Sequence, residues 1–372
     1  MGVRIGITIA LLLVVIGMAV YVYHVLLRLE DTLGFDKRSL ICKGSAGVAT
    51  AVLLLIALGF TRTGLIVLIH LLVISWIVEG IDFFVRLKRK RGWRIWNLIV
   101  ASEVIPIVLT AILLGYGYWN MGQVRETDYV VTTQKDIRDS GYTIAFVSDL
   151  HYPTTMGKEK LQAYCKEIGA KNPDFVILGG DIVDENTSYM EMQEAFEVLG
   201  GIPSRLGRYY VYGNHDLAGE ETRKNFTKDQ LRESIQKTGI TVLEDSSVKL
   251  TKDLVLIGRA DCGFANSKQR KSIHQLLELE NKKKYLVVID HQPKDLRAAA
   301  NEGIDLQVSG HTHAGQIFPG GIISKWANIN EQTYGCRRKN GFTSIVSSGI
   351  AGWGSSIRTE GHSEYVIIRL QK

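Results

Sequence analysis

Two histidines one residue apart, His311 and His313 in Ser-Gly-His-Thr-His, close a series that opens at Asp149-Leu-His151. Between them lie Gly179-Gly180-Asp181, Gly213-Asn214-His215-Asp216 and His291-Gln-Pro. Together these pieces offer four imidazoles, two carboxylates and an amide oxygen, the borderline and hard donors that a pair of divalent cations takes. A fifth imidazole, His215, follows the amide directly. Nine histidines in 372 residues sometimes cluster by chance, but five of the seven beyond residue 120 fall in these motifs. His274 and His362 lie outside them and read as ordinary structural residues. The pattern points to a two-metal hydrolase whose natural substrates are phosphate esters.

Ligands spread over roughly 160 positions converge only if the chain carries each to a common edge. Strand-like apolar runs do precede them: Tyr142–Ser148 before Asp149, Asp174–Leu178 before Asp181, Arg208–Tyr212 before Asn214, Tyr285–Ile289 before His291 and Ile304–Val308 before His311. Helical patterns alternate with these runs, at about Lys158–Ala170, Tyr189–Leu199, Lys228–Lys237 and Lys268–Leu279. A hairpin is expected from Val248–Leu250 and Leu254–Ile257, and final strands at about Phe342–Ser347 and Tyr365–Leu370. Alternating strand and helix predicts a layered α/β domain with its sheets inside. Residues 142–372 are expected to form it, after a polar connector over 121–141 with one strand-like stretch, Tyr129–Thr133.

Residues 1–120 are a different object. They carry 12 Lys+Arg against 6 Asp+Glu and are otherwise nearly continuous apolar sequence, whereas the remainder holds 32 of each sign. The basic excess therefore belongs to the apolar part, and no nucleic-acid-binding face is expected on the rest. Four transmembrane helices are predicted, at Ile5–Leu27, Gly44–Thr61, Thr63–Val85 and about Ile95–Trp119. Glu79, Asp82 and Glu103 lie inside them and read as acids paired with basic loop residues, Asp82 with Arg86 and Glu103 with Arg94. Ten basic residues (Arg28, Lys37, Arg38, Lys43, Arg86, Lys88, Arg89, Lys90, Arg91 and Arg94) fall on one side of the spans. Three (Arg4, Arg62 and Arg125) fall on the other. The first set is expected in the cytoplasm, which puts both termini and the C-terminal domain on the extracytoplasmic side of a multi-pass cell-membrane protein. Four cysteines without CxxC spacing imply no disulfide framework.

The order D-x-H, G-D, G-N-H-D, H, G-H-x-H resembles the calcineurin-like metallophosphoesterases. It is most similar to their membrane-associated bacterial branch, through His311-Thr-His-Ala314-Gly-Gln-Ile and Ser348-Gly-Ile-Ala-Gly-Trp-Gly. That branch more often has Gly at the position of Ala314. The resemblance covers about residues 140–370 and implies a layered α/β/β/α sandwich. It further implies that Asp149, His151 and His313 bind one metal, that Asn214, His291 and His311 bind the other, and that Asp181 bridges them. His215 would protonate the leaving oxygen, held by Asp216, while a hydroxide between the metals attacks phosphorus in line. Mixed N/O ligation suits Mn, Fe, Co or Zn.

The substrate should be read by loops around this centre. Candidates are Tyr152, Arg259, Trp353, the stretch Trp326–Lys339 and Arg358. Arg358, after the glycine-rich 349–354 loop, is the preferred phosphate-side contact, since Arg grips phosphate oxygens bidentately, with a structural ion pair to Glu360 or Glu364 as the equal alternative. The Arg337-Arg338-Lys339 run reads as a solvated loop, with a membrane-facing basic edge as the sharper alternative. A membrane tether raises the effective concentration of bilayer-bound phosphoesters. The expected partners are therefore the lipid bilayer and a phosphoester within it, and the expected reaction is metal-dependent hydrolysis of a phosphodiester of a lipid head group or envelope component. The alternatives are a phosphomonoesterase and a catalytically silent metal-binding receptor or assembly protein.

Overall fold

A strand buried at every position must lie in a sheet covered on both faces. Among the described residues five strands have that property: Phe175–Leu178, Leu254–Gly258, Tyr285–Ile289, Leu306–Ser309 and Phe342–Val346. The computed structural model describes residues 2–59, 61–88, 94–217, 225–263, 270–277 and 282–372, without the side chains of 2–14, 57, 58, 61, 62, 88 and 94. It divides into two compact units, Met1–Tyr116 and Gly117–Lys372.

The second unit holds two six-stranded sheets. Its strands in chain order are β1 (Val124–Thr132), β2 (Tyr142–Val147), β3 (Phe175–Leu178), β4 (Arg208–Tyr210), β5 (Ile240–Val242), β6 (Ser246–Lys249), β7 (Leu254–Gly258), β8 (Tyr285–Ile289), β9 (Leu306–Ser309), β10 (Gly335–Lys339), β11 (Phe342–Val346) and β12 (Ser363–Gln371). One sheet runs β1-β12-β2-β3-β4-β5 and the other β10-β11-β9-β8-β7-β6. Both are mixed: β2, β3, β4 and β5 are parallel neighbours, as are β7, β8, β9 and β11, while β12 is antiparallel to β2 and the edge strands β6 and β10 are antiparallel to theirs.

Period-two alternation sorts the strand side chains into layers. Ile144, Phe146, Ile177, Leu256, Val287, Val308 and Ile345 form a core between the sheets. The intervening residues Ala145, Val147, Val176 and Leu178 face outward against Leu161, Ile168, Phe196 and Leu231. Those four belong to α6 (Lys158–Ala170), α7 (Tyr189–Gly200) and α8 (Lys228–Lys237). On the second sheet Val255, Ile257, Leu286 and Val288 meet Ile273, Leu276 and Ala299 of α9 (Ile273–Leu277) and α10 (Leu296–Glu302). This is the layered α/β domain expected from the sequence. Capping boxes start two of its helices, Ser188 with Glu191 and Thr227 with Gln230, satisfying the first free N–H groups. The predicted helix over Lys268–Leu279 is seen only within its described part, where α9 is shorter.

The stretch 121–141 is more than a connector. Its β1 pairs in parallel with β12 over nine residues, from Val124↔Ser363 to Thr132↔Gln371. The partner lies far away in sequence and β1 alternates on a half-exposed edge, so local pattern showed only its end.

The N-terminal helices are α1 (Gly2–Thr32), α2 (Leu40–Gly59), α3 (Thr61–Lys88), α4 (Arg94–Ala101) and α5 (Val104–Met121). Among the described residues, two are long and apolar enough to cross a membrane, at Thr63–Leu87 and Val104–Met121. Leu40–Ile56 is apolar but shorter. Expected span Ile5–Leu27 lies inside α1, with part of its side chains outside the described set. The fourth expected span, Ile95–Trp119, is interrupted: α4 ends at Ala101 and α5 begins at Val104, with Glu103 at φ 56° in the break. Arg86 holds Asp82 at 2.7 Å as expected. Glu103, however, is paired with Arg28 Nη2 at 2.5 Å, and Arg28 Nη1 also holds Glu79 at 2.6 Å. Arg94, the partner expected for Glu103, has its side chain outside the described residues.

Candidate metal centre

The ligand-type residues follow strand ends, as parallel sheets allow. Asp149 and His151 come after β2, Asp181 after β3, Asn214 after β4, His291 after β8, and His311 and His313 after β9. Five of these seven have positive φ: Asp149 57°, His151 45°, Asp181 52°, His311 71° and His313 49°. A side chain in this left-handed region costs about 1–3 kcal/mol, and such strain persists mostly where function requires it. Ala314 shares the conformation at φ 52°. A Gly there would be free of the strain, which is the physical content of this chain's departure from its resembled pattern.

Glycines let the ligand loops touch. A Cβ on Gly213 would lie 2.2 Å from Asp181 Oδ1, and one on Gly310 would lie 2.2 Å from Asp149 Oδ2. Either added methyl group would displace a carboxylate.

Ligand atoms gather in two groups, Asp149/His151/His313 and Asp181/His291/His311, each with its donor atoms within 4.8 Å of one another. The groups adjoin: Asp181 Oδ2 is 3.0 Å from His291 Nε2 and 3.9 Å from His151 Nε2. The Nε2 atoms of His151 and His313 face each other at 3.3 Å, and His313 Nε2 is 3.7 Å from Asp149 Oδ1.

The supporting hydrogen bonds fix which atoms stay available. His291 Nδ1 donates to the Gly179 carbonyl at 2.7 Å, which turns Nε2 toward the site and Asp181. Asp149 accepts the His311 N–H at 2.9 Å, and Asp181 Oδ1 accepts the His215 N–H at 2.7 Å. His291 Nε2 meets only the Asp181 carboxylate, 3.0 Å away, and Asn214 Oδ1 is buried without a hydrogen-bond partner. Buried acceptors are rarely left so, and a cation is the partner that would suit both. By this test the residues fit a pair of metal ions.

Electrostatics agrees. Burial pushes His151 down to about 4 and His311 to about 3, and holds His313 well below its ordinary value, so these imidazoles are neutral and can donate lone pairs. Burial likewise pushes Asp149 up to about 6. On Asp181 burial acts upward too, but His291 and then His151 outweigh it and hold the carboxyl well below its usual range. His291 is raised, because Asp181 overrides its burial. That pair carries a proton for which a dication would compete.

His215 stands beside both groups, with its ring 5.1 Å from those of His151 and Trp353. Its Nδ1 lies 2.8 Å from Glu185 Oε1. Burial lowers its pKa, but the bond to Glu185 and the charge of Asp181 leave it raised. The carboxylate expected to hold this ring was Asp216. In the structure Asp216 accepts four backbone N–H groups, from Asp181, Ile182, Val183 and Gly213, at 2.6–3.0 Å. It clamps the loop that carries Asp181 against the loop that carries Asn214. Trp353 was among the loop residues expected near the centre; sequence reasoning missed Glu185, for which its place four residues after Asp181 was the one signal available.

Arg358 is the clearest correction. It is fully buried, and its Nη atoms donate to the carbonyls of His313, Ser348 and Ala351 at 2.8–3.1 Å. It ties the His313 loop to the 348–351 loop and has no face for a phosphate. Replacing it leaves three buried carbonyls unmatched, so Arg358→Met should cost about 3 kcal/mol or more of stability. A fall in thermal midpoint with unchanged KM is the expected reading; a raised KM at unchanged stability would restore the phosphate role. The Arg337–Lys339 run lies on β10, where Arg337 donates to Glu331 O and Arg338 to Val130 O, as a strand edge rather than part of the site.

Comparison with known proteins adds an independent line. A family model described as calcineurin-like phosphoesterase matches residues 142–315, the segment that contains all seven ligand-type residues and His215. An uncharacterised metallophosphoesterase of Helicobacter pylori strain J99 is 32% identical over 307 residues, covering 80% of this chain and 75% of that protein. Its match is longer than the second unit alone can supply. A transmembrane protein with metallophosphoesterase domain from Danio rerio is 28% identical, covering 73% of this chain and 63% of its own length. An uncharacterised metallophosphoesterase of Aquifex aeolicus is 28% identical, over 70% of this chain and 97% of itself.

Proposed function

This chain belongs to the calcineurin-like phosphoesterase family, and from that premise we propose that it is a membrane-anchored phosphodiesterase working with two divalent metal ions. The observation that carries the reading is the pair of adjoining ligand groups, with the Asn214 Oδ1 acceptor buried and unpartnered beside the His291–Asp181 pair. Asp149, His151 and His313 would hold one ion and Asn214, His291 and His311 the other, with Asp181 shared. Bound there, such ions (Mn, Fe, Co or Zn by donor type) supply charge that neutralises phosphoryl oxygens and eases deprotonation of water.

The chain's own residues supply the rest. Asp181 brings negative charge between the groups and, through Oδ1, fixes the backbone of His215. Asp216 holds the loops of Asp181 and Asn214 in register. With Nδ1 held by Glu185, His215 would carry the proton for the leaving oxygen on its second ring nitrogen. The Trp353 ring lies beside it, 5.1 Å away, and would give the imidazole an apolar wall.

Two features favour a diester. Among the described residues, the guanidiniums of Arg259 and Arg270 are engaged by carboxylates, Arg259 with Asp290 and Asp295 and Arg270 with Asp290, and Arg358 is engaged by carbonyls. A singly charged diester asks for less positive charge than a doubly charged monoester. The second is the anchor: α1, α2, α3 and α5 are read as four crossings, and relatives named as transmembrane proteins support a membrane location. Loop charge then puts the second unit outside the cytoplasm. A membrane-impermeant maleimide should label Cys336 in intact cells, and labelling only after permeabilisation would reverse the orientation.

The activity test compares bis-p-nitrophenyl phosphate, p-nitrophenyl phosphate and phospholipid in vesicles, with the full chain in bilayers and Mn²⁺ present. Turnover of diester and lipid above monoester is expected. Monoester turnover alone would make the protein a phosphomonoesterase, and no turnover by a metal-loaded protein would make it a silent binding protein.

A further inference from the structure

From five residues past His313, the last ligand, the chain exposes an apolar surface that the catalytic reading does not use. The helix α11 (Gly320–Trp326) and its flanks bury Gly321 and Ser324 but leave Phe318, Ile322, Ile323 and Ile329 50–57% exposed and Trp326 86% exposed. A cluster of large apolar side chains this open is uncommon on a soluble face and marks a protein or membrane contact. The stretch Ile317–Asn330 contains no acid and one cation, Lys325. The nearby carboxylate of Glu360 is engaged by the Gly321 N–H.

A second observation sets the depth of this surface. Residues 357–361 hold α11 on one side and the last turn of α5 on the other. Thr359 Oγ1 accepts the Phe318 N–H at 2.9 Å, and Thr359 N–H and Glu360 N–H donate to Gln316 O. In the opposite direction Arg358 N–H donates to Gly117 O at 3.0 Å, and Asn120 Nδ2 donates to Arg358 O and Gly361 O. The last turn of α5 itself shows Tyr118 and Trp119 to the exterior, 69% and 55% exposed, as an interfacial aromatic belt does. The apolar surface is therefore tied, through one short loop, to the place where an apolar 18-residue helix ends.

We infer that Phe318–Ile329 is an interfacial docking element for an anionic phospholipid bilayer. Its apolar side chains enter the headgroup and upper acyl region while Lys325 stays with the lipid phosphates. This rests on the membrane-anchored reading above and deepens it: the element follows His313 closely, so it sets the metal centre at the level of lipid phosphoesters and selects substrates that lie in the membrane.

The test uses the full chain in nanodiscs holding one copy each, made of phosphatidylcholine and phosphatidylglycerol with or without bromine high in the acyl chains. Subtracting the emission of Trp326→Phe isolates Trp326. Its signal should be quenched by the brominated lipid and protected from aqueous iodide. Quenching by iodide alone would overturn the proposal in favour of a solvated loop. Protection from both quenchers would overturn it as well, showing Trp326 packed against the chain itself. In parallel, Ile322→Ser with Trp326→Ser should raise KM for a vesicle-embedded diester about tenfold, the scale of removing one or two apolar insertions, at unchanged turnover of soluble diester and unchanged thermal midpoint. Equal loss on both substrates would contradict a docking role. If the unaltered chain hydrolyses no diester, the catalytic reading fails, while the quenching result still decides the docking.

Discussion

Asp181→Asn should reduce diester turnover by about 10³-fold or more while leaving the protein folded. Asp181 is 1% exposed and lies where the two ligand groups meet. Its Oδ2 is within 3.0 Å of His291 Nε2 and 3.9 Å of His151 Nε2, while Oδ1 receives the His215 N–H. The amide keeps the shape and can still accept from His215. It removes the charge and offers one oxygen where a shared carboxylate offers two. Four imidazoles then face an uncharged group, and the site should hold fewer metal ions. Metal content by mass spectrometry should fall together with the rate, at a thermal midpoint close to that of the unaltered protein stripped of metal. Retention of the rate within tenfold would mean that Asp181 is not the shared ligand.

The second large effect concerns His215, and its size should depend on the leaving group. His215 belongs to neither ligand group, and its Nδ1 is held by Glu185. Its raised pKa keeps it protonated to higher pH than a free histidine, as an acid requires. General acid catalysis contributes about 10²–10⁴-fold when the leaving oxygen needs a proton. His215→Ala should therefore slow hydrolysis of an alkyl phosphodiester by about that factor. With p-nitrophenolate, which leaves as a stable anion, the loss should shrink to about tenfold or less. Glu185→Gln should follow the same leaving-group pattern at smaller amplitude. Equal losses on both substrates would make His215 a positioning residue or a metal ligand instead.

Much of the centre could be read from the chain because its geometry is local. Each ligand sits within a few residues of the end of a strand whose apolar run is plain, and a parallel sheet brings such ends together. The features that escaped depend on distant partners. β1 was taken for a connector because its pairing with β12 joins residues more than two hundred positions apart. Arg358 was taken for a phosphate contact because nothing near it in sequence announces three buried carbonyls. Asp216 was assigned to His215, its neighbour, although its carboxylate turns back onto the Asp181 loop. The fourth apolar segment looked continuous, and only the structure shows its break at Glu103, held by Arg28 from α1. The left-handed backbone at five ligands is signalled only weakly by Asp or His, unlike a glycine.

The most direct measurement is a metal titration of the full chain in detergent or bilayers. The protein is stripped by chelation and Mn²⁺ is returned stepwise, with bound metal and hydrolysis of bis-p-nitrophenyl phosphate followed on the same samples. Two ions per chain, with turnover absent at zero and complete only as the second site fills, is the predicted result. Full turnover by the stripped protein, or saturation at two ions without hydrolysis of any phosphoester, would contradict the assignment of this centre as a two-metal phosphoesterase.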